Sequence, residues 1–176
     1  MGNTPASPTR SRRLIIGVMG THVEDPTVTP LAEELGHAIA RRGYILLTGG
    51  GTGVMRAASL GASRSGGLVI AILPNERRQD VTGYPNAYVD IPIYTGMGDA
   101  RNVINAKTAD AIVALPGGPG TLSEIALALK ADTPVIALRA WCDLFPGLIM
   151  PVQTVAEAMS ALAQLLPDPS SPITSL

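Results

Sequence analysis

Leu14 to Met19 (LIIGVM) contains no side chain that prefers water, and the run ends at Gly20. A strand with one wet face alternates apolar and polar residues, so an uninterrupted apolar run of this length marks a strand covered on both faces. The signature returns at Tyr44 to Leu47, Leu68 to Leu73, Tyr88 to Ile93, Ala111 to Leu115 and Val135 to Leu138, which predicts six buried strands. Between them the period changes to that of a helix. Leu31, Leu35, Ala38 and Ile39 form one stripe, and Leu122, Ile125, Ala126 and Leu129 another. Further helices are expected from Val54 to Arg64, Ala100 to Lys107 and Val155 to Leu165. Apolar strands alternating with amphipathic helices build right-handed βαβ units. The expected fold is therefore a single-domain α/β structure, a doubly wound, Rossmann-like parallel sheet with helices on both faces.

The boundaries follow from the ends. Residues 1–13 (MGNTPASPTRSRR) are polar, basic and free of acids, and they lack the apolar segment of a secretory signal. They read as a disordered arm, with a clipped organelle-targeting remnant as the alternative. Residues 167–176 carry three prolines and read as a tail that cannot continue a helix, leaving 14–166 as the ligand-binding domain.

Composition narrows the functional classes. A chain of 176 residues with 46% hydrophobic and 15% charged side chains fills a substantial core, so disorder is confined to the ends. Gly, Pro or a charge interrupts every apolar run before the roughly 18 residues a membrane span needs, and a cytoplasmic protein is expected. A net charge of -1 with 3% aromatic residues argues against nucleic acid, which attracts basic surfaces and stacking rings. The single cysteine, Cys142, has no internal disulfide partner, and with only His22 and His37 beside it an all-protein metal site is not expected.

In a doubly wound sheet ligands sit at the carboxyl ends of the strands, so the loops that follow strands carry the chemistry. Three of these are rich in glycine: Gly17 to His22, Thr48-Gly49-Gly50-Gly51-Thr52-Gly53, and Pro116-Gly117-Gly118-Pro119-Gly120-Thr121. Glycine admits positive φ and close backbone approach, and the helix start that follows adds partial positive charge, which together make an anion cradle. Closing a tight corner is the plainer use of such a loop, but two dense ones on the same sheet edge favour the cradle. No Gly-Lys-Ser/Thr follows either of them, and neither fits GxGxxG with a later acid, so ATP hydrolysis and ordinary NAD binding recede.

Arg101 lies two residues after Asp99, an expected N-cap, in the first turn of a helix whose dipole opposes a cation. Either it reaches out to solvent or it forks onto a bound phosphate. Thr121-Leu122-Ser123-Glu124 has the form of a capping box, with Thr121 capping the helix and Glu124 returning the bond; Glu124 lies off the apolar stripe.

Arg101-Asn102 followed by Ala109 to Glu124 (ADAIVALPGGPGTLSE) resembles the PGGxGTxxE signature of the Lonely Guy family, often misnamed lysine decarboxylases. Gly49 to Met55 is similar to the family's other Gly-rich element, and the resemblance runs from about Leu14 to Leu165. It implies two functions. In the phosphoribohydrolases, which release base and ribose 5-phosphate from cytokinin riboside monophosphates or AMP, the catalytic pair would fall on Arg101 and Glu124. Those enzymes carry Met-His-x-Arg-Lys where this chain has Gly98-Asp99-Ala100-Arg101-Asn102, so the family's His and Lys are missing. The TGGGTGVM, YVDIPIYTGMGDARN and GTLSEIALALK segments look more like the second branch, the molybdenum cofactor carriers of green algae and their bacterial relatives.

This second resemblance implies a carrier that holds the molybdenum cofactor as cargo and passes it to an apo-molybdoenzyme such as nitrate reductase. The ligand is then an anionic small molecule, a pterin phosphate or a nucleotide monophosphate. Its contacts would come from Gly20, Thr21, Gly49, Gly50, Gly51, Thr52, Gly53, Arg101, Asn102, Pro116, Gly117, Gly118, Gly120, Thr121 and Glu124. A nucleotide sensor without catalysis is a third reading. The excess of arginine, 11 to 2 lysines, suits bidentate anion recognition and equally reflects codon usage.

The remaining candidates stay open. His22 lines the pocket or is a polar loop residue, and Cys142 touches molybdenum or is a buried inert thiol. Arg77 and Arg78 belong to a lid or to plain surface. His37 shares the polar side of its helix with Glu33, Glu34 and Arg41 and should be solvated. The family resemblance implies a homodimer or homotetramer, and the apolar patch Leu144, Phe145, Leu148, Ile149 and Met150 offers a face for it.

Overall fold

In the computed structural model residues 12–141 and 143–167 are described; Cys142, residues 1–11 of the expected arm and residues 168–176 of the expected tail lie outside them. The chain runs β1 (Ile15–Met19), α1 (Thr29–Arg41), β2 (Ile45–Thr48), α2 (Val54–Arg64), β3 (Val69–Leu73) and β4 (Ile91–Tyr94). A 3-10 turn (Gly98–Arg101) then leads into α3 (Asn102–Thr108), β5 (Ala111–Ala114), α4 (Pro119–Lys130), β6 (Val135–Leu138), β7 (Ile149–Val152) and α5 (Val155–Leu165). All seven strands are parallel, in the order β4-β3-β2-β1-β5-β6-β7. This is the doubly wound α/β arrangement that the alternating periods predict.

Strand side chains alternate between two cores. Ile16, Val18, Leu46, Val113 and Ile136 pack toward α1, α2 and α5 on one face. Met19, Leu47, Ile112, Ala114 and Ala137 pack toward α3 and α4 on the other. On the first face α1 and α2 meet backbone to backbone, since a Cβ on Gly36 would fall 2.0 Å from Ala58 O and one on Gly61 1.9 Å from Glu33 O. No helix among the described residues is long and apolar enough to cross a membrane.

Four expectations change. The run Tyr88 to Ile93 is not a buried strand: β4 begins at Ile91 and forms a sheet edge, with Ile91 43% and Ile93 42% exposed. A seventh strand, β7, occupies part of the apolar patch assigned to association; Ile149 is buried while Leu148 and Met150 are exposed. Pro151 obscured it, and Pro is tolerated here because β7 is the other edge. Asp99 does not cap α3, because the 3-10 turn intervenes and Arg101 itself holds the N-cap position. At the N-terminal boundary, Arg12 donates to Asp110 Oδ1 at 2.5 Å and Arg13 Nε to Gly43 O at 3.3 Å, so the last two arm residues are bonded to the domain.

Candidate functional site

The winding direction reverses between β1 and β5. These strands are paired from Ile16↔Ala111 to Met19↔Ala114, and the pairing is carried past their ends by Leu115 N donating to Met19 O (2.8 Å) and Thr21 N to Pro116 O (3.0 Å). The chain then leaves β1 for α1 on one face and β5 for α4 on the other, which opens a crevice above the strand ends. A cavity of about 530 Å³ lies there.

One wall is the start of α4. Pro119 takes the first helical position, for which its fixed φ is suited, and Gly118 is the N-cap. Leu122 N donates back to Gly118 O at 3.0 Å, so the amides of Gly120 and Thr121 precede the helical ladder. Gly117, Gly118, Gly120 and Thr121 all border the cavity. A Cβ on Gly117 would meet Thr121 Oγ1 at 2.2 Å, so only glycine lets this loop fold back on its own helix.

This start also dissolves the expected capping box. Because α4 begins at Pro119, Thr121 is its third residue and Glu124 lies in the second turn, and no side chain caps the helix. Glu124 instead points inward: it is 7% exposed, and Asn105 Nδ2 donates to its Oε1 at 2.8 Å. Burial pushes the Glu124 carboxyl above the usual glutamate range, against the opposing pull of the Asn105 hydrogen bond and the Arg101 charge.

Arg101 is also buried, at 9% exposure, which excludes the solvent-reaching reading. Its Nη1 donates to Ile72 O at 2.8 Å, while Nε is buried without a partner. The guanidinium lies on Gly49, where a Cβ would come within 2.1 Å of Nη1 and 2.7 Å of Nη2. A buried cation with an idle donor is costly unless an anion reaches it. Next to it, Asn102 borders the cavity and donates to Ser123 Oγ at 2.7 Å. Asn102 and Asn105, at i and i+3 on α3, thus hold Ser123 and Glu124 on α4 in place.

Of the other expected contacts, Gly20, Thr21 and His22 border the cavity, whereas Gly49, Gly50, Gly51, Thr52, Gly53 and Pro116 do not. Two amides of the 48–53 loop are already engaged, Gly50 N by Thr48 Oγ1 (3.0 Å) and Gly51 N by Met55 Sδ (3.4 Å). This loop backs the site instead of lining it. Arg77 and Arg78 are exposed and do not border the cavity, and exposed His37 meets Ser65 Oγ through Nδ1 at 2.5 Å. The sequence reading missed Asn105, Tyr84, Met55 and Val23. For Asn105 a signal existed, a second amide three residues after Asn102 on a short helix. Among the described residues no group of three or more His, Cys, Asp or Glu is placed to hold a metal ion.

A family model described as the SLOG cluster4 family matches residues 13–165. Among solved structures, the molybdenum cofactor binding protein of the phototrophic bacterium Rippkaea orientalis superposes with a TM-score of 0.80 at 39% identity, covering 88% of this chain and 98% of that one. The molybdenum cofactor carrier protein of Chlamydomonas reinhardtii gives 0.76 at 41% identity, with the same coverage. The cytokinin riboside 5'-monophosphate phosphoribohydrolase LOG of Oryza sativa subsp. japonica is 34% identical over 118 residues, 66% of this chain but 48% of that protein.

Proposed function

The chain belongs to the SLOG cluster4 family, and on that premise we propose that it binds the molybdenum cofactor as cargo through the pterin's phosphate, shelters it and passes it to an apo-molybdoenzyme such as nitrate reductase. One observation carries the reading. At the switch point a buried arginine with an unpartnered Nε and the unladdered amides of a helix start border one open cavity. That donor set fits a phosphate ester: Arg101 supplies charge and a planar fork, and Gly118, Gly120 and Thr121 supply amides along the helix axis. Gly20, Thr21, Asn102 and Gly117 complete the wall, with Gly49, Gly50, Gly51, Thr52, Gly53 and Pro116 supporting it from behind. The likeness to two molybdenum-cofactor-binding structures at 39% and 41% identity favours a pterin phosphate over a nucleotide. In this reading the protein works as a homodimer or homotetramer, acts on no lipid or nucleic acid, and performs no chemistry on its cargo.

A second reading, N-glycosidic hydrolysis of a nucleoside 5'-monophosphate, has its own observation. Glu124, held toward its protonated form by burial, borders the same cavity as Arg101, as a general acid for a departing base requires. Against it, Gly98-Asp99-Ala100 supplies no cation beside Arg101.

Turnover separates the two. Purified protein is incubated with AMP and with a cytokinin riboside monophosphate and assayed for free base, beside Arg101→Ala and Glu124→Ala. The carrier reading expects no base, retention of molybdenum cofactor through a desalting column, and loss of that retention in Arg101→Ala. Base release abolished in both variants would overturn it in favour of the hydrolase. Transfer is read by restored nitrate reduction when loaded protein is mixed with cofactor-free enzyme.

A further inference from the structure

Residues 74–90 join β3 to β4 without a helix and fold back over the 48–53 loop. Asn86 makes the join: its backbone N donates to Gly50 O at 2.8 Å and its Nδ2 to Gly51 O at 3.1 Å. Asn75, buried at the start of the segment, donates through Nδ2 to Glu76 O (3.2 Å) and Gln79 O (3.0 Å) and closes its first turn. The result seats the ring of Tyr84 on Gly51, where a Cβ would stand 2.6 Å from Cζ and 2.7 Å from the hydroxyl oxygen. Met55 Cε reaches the same point, 2.8 Å from that Cβ position, and Met55 borders the cavity beside Tyr84. Tyr84 is half-buried and is the one Phe, Tyr or Trp among the described residues bordering the cavity, which the smaller imidazole of His22 also borders.

The two engaged side chains share a spine. Arg101 rests on Gly49 and Tyr84 on Gly51, positions two residues apart and so at most about 7 Å between Cα atoms. A cation and an aromatic ring are thereby presented to one cavity at a separation that a short linker between a phosphate and a ring can bridge. Glycine at both positions is what allows them this close, since either Cβ would displace the group resting there.

Resting on the phosphate-binding reading above, we propose that Tyr84 is the stacking platform that selects a planar heterocycle, so that this site takes ring-bearing phosphate esters and discriminates against phosphates without a ring. Arg101 and the α4 amides hold the anion. Tyr84 reads what is attached to it. Stacking tolerates many rings, so the platform enforces planarity, and the choice between pterin and purine falls to polar groups around the ring edge.

Binding is measured by titration calorimetry with a 6-alkylpterin phosphate, AMP and ribose 5-phosphate, on the full chain and on Tyr84→Leu, Tyr84→Phe, Gly51→Ala and Arg101→Ala. Tyr84→Leu should weaken the two ring-bearing ligands by roughly 5- to 100-fold, the range alanine substitution of base-stacking aromatics spans, and leave ribose 5-phosphate within about twofold. Tyr84→Phe keeps the ring and should bind as the parent does. Gly51→Ala, which pushes the ring aside without removing it, should reproduce the ring-selective loss. Pterin fluorescence should be quenched on binding to the parent and to Tyr84→Phe but not to Tyr84→Leu. Equal losses on all three ligands, or none, overturn the platform while the phosphate site stands. Unchanged binding of all three by Arg101→Ala overturns the phosphate reading instead, and failure of the parent protein to bind any of them overturns both.

Discussion

The loops at 48–53 and 116–121 carry four and three glycines in six residues, and each follows a strand and leads into a helix. They are used in opposite ways. In 116–121 the glycines leave amides facing an open cavity, and a Cβ on Gly118 or Gly120 would meet nothing within 4 Å. In 48–53 the amides of Gly50 and Gly51 are bonded internally, and the carbonyls of the same two residues are taken by Asn86. There the glycines exist to have no side chain, so that Arg101, Tyr84 and Leu73 can close on the backbone. The lesson is that a glycine-rich turn after a strand offers donors only where neighbouring segments leave its amides unpaired.

The contrast can be broken by adding methyl groups. Gly50→Ala has the largest expected effect: φ is +78°, and the new Cβ would stand 2.3 Å from Leu73 Cδ2 and 2.9 Å from Ala71 Cβ. Left-handed strain and overpacking together should cost about 2–4 kcal/mol, read as a lower urea midpoint at unchanged m-value. Gly49→Ala comes next and separates binding from stability. The three atoms nearest its Cβ all belong to the far end of Arg101, which can move, so the fold should survive while phosphate-ester affinity falls about tenfold or more, from the loss of charge-assisted bonds worth ~1.5–3 kcal/mol. Unchanged affinity would show that Arg101 reaches the anion from another position.

The third test reads a slope. Glu124 is held above its unfolded pKa by burial, so the folded state binds the extra proton and stability falls as pH rises from the ordinary glutamate range through the elevated value. Glu124→Gln, which keeps the shape and can still pair with Asn105, should flatten that part of the melting-temperature profile and melt higher than the parent at neutral pH. A parallel pair of profiles would mean that the carboxyl is not shifted. The smallest effect belongs to Gly120→Ala, which enters open space in the first turn of α4 and should stabilise by about 0.5 kcal/mol through a stiffer unfolded chain. Destabilisation on the scale of Gly50→Ala would erase the distinction between the loops.

A second pair of segments shows how far sequence pattern reaches. Thr121 to Glu124 and Thr154 to Glu157 both read T-x-x-E. Only the second caps: Thr154 Oγ1 accepts from Glu157 N at 3.1 Å, and Glu157 Oε2 accepts from Gln153 N at 2.7 Å. In the first, the helix starts at Pro119, three residues before the Leu122 that a Thr121 cap would give, and the glutamate turns inward onto Asn105. The motif fixes what the residues are able to do; the neighbour that reaches them first decides what they do.

Five of the seven strands, the helices, the parallel winding and the edge of the sheet that carries the site were legible in the chain, because periodicity and turn chemistry are local; the two edge strands were not, since β4 is exposed where its apolar run implied burial and Pro151 masked β7. α2 and α5 fall at the positions the pattern gives, Val54–Arg64 and Val155–Leu165. What the pattern left undecided depends on partners far along the chain. Arg101 is buried because Ile72, 29 positions away, offers it a carbonyl, and the 48–53 loop loses its carbonyls to Asn86, 35 positions beyond Gly51. Tyr84 enters the site only because that same contact folds its segment back. Those pairings are set by which strand ends the sheet brings together, a property of the closed tertiary structure that no local stretch of sequence contains.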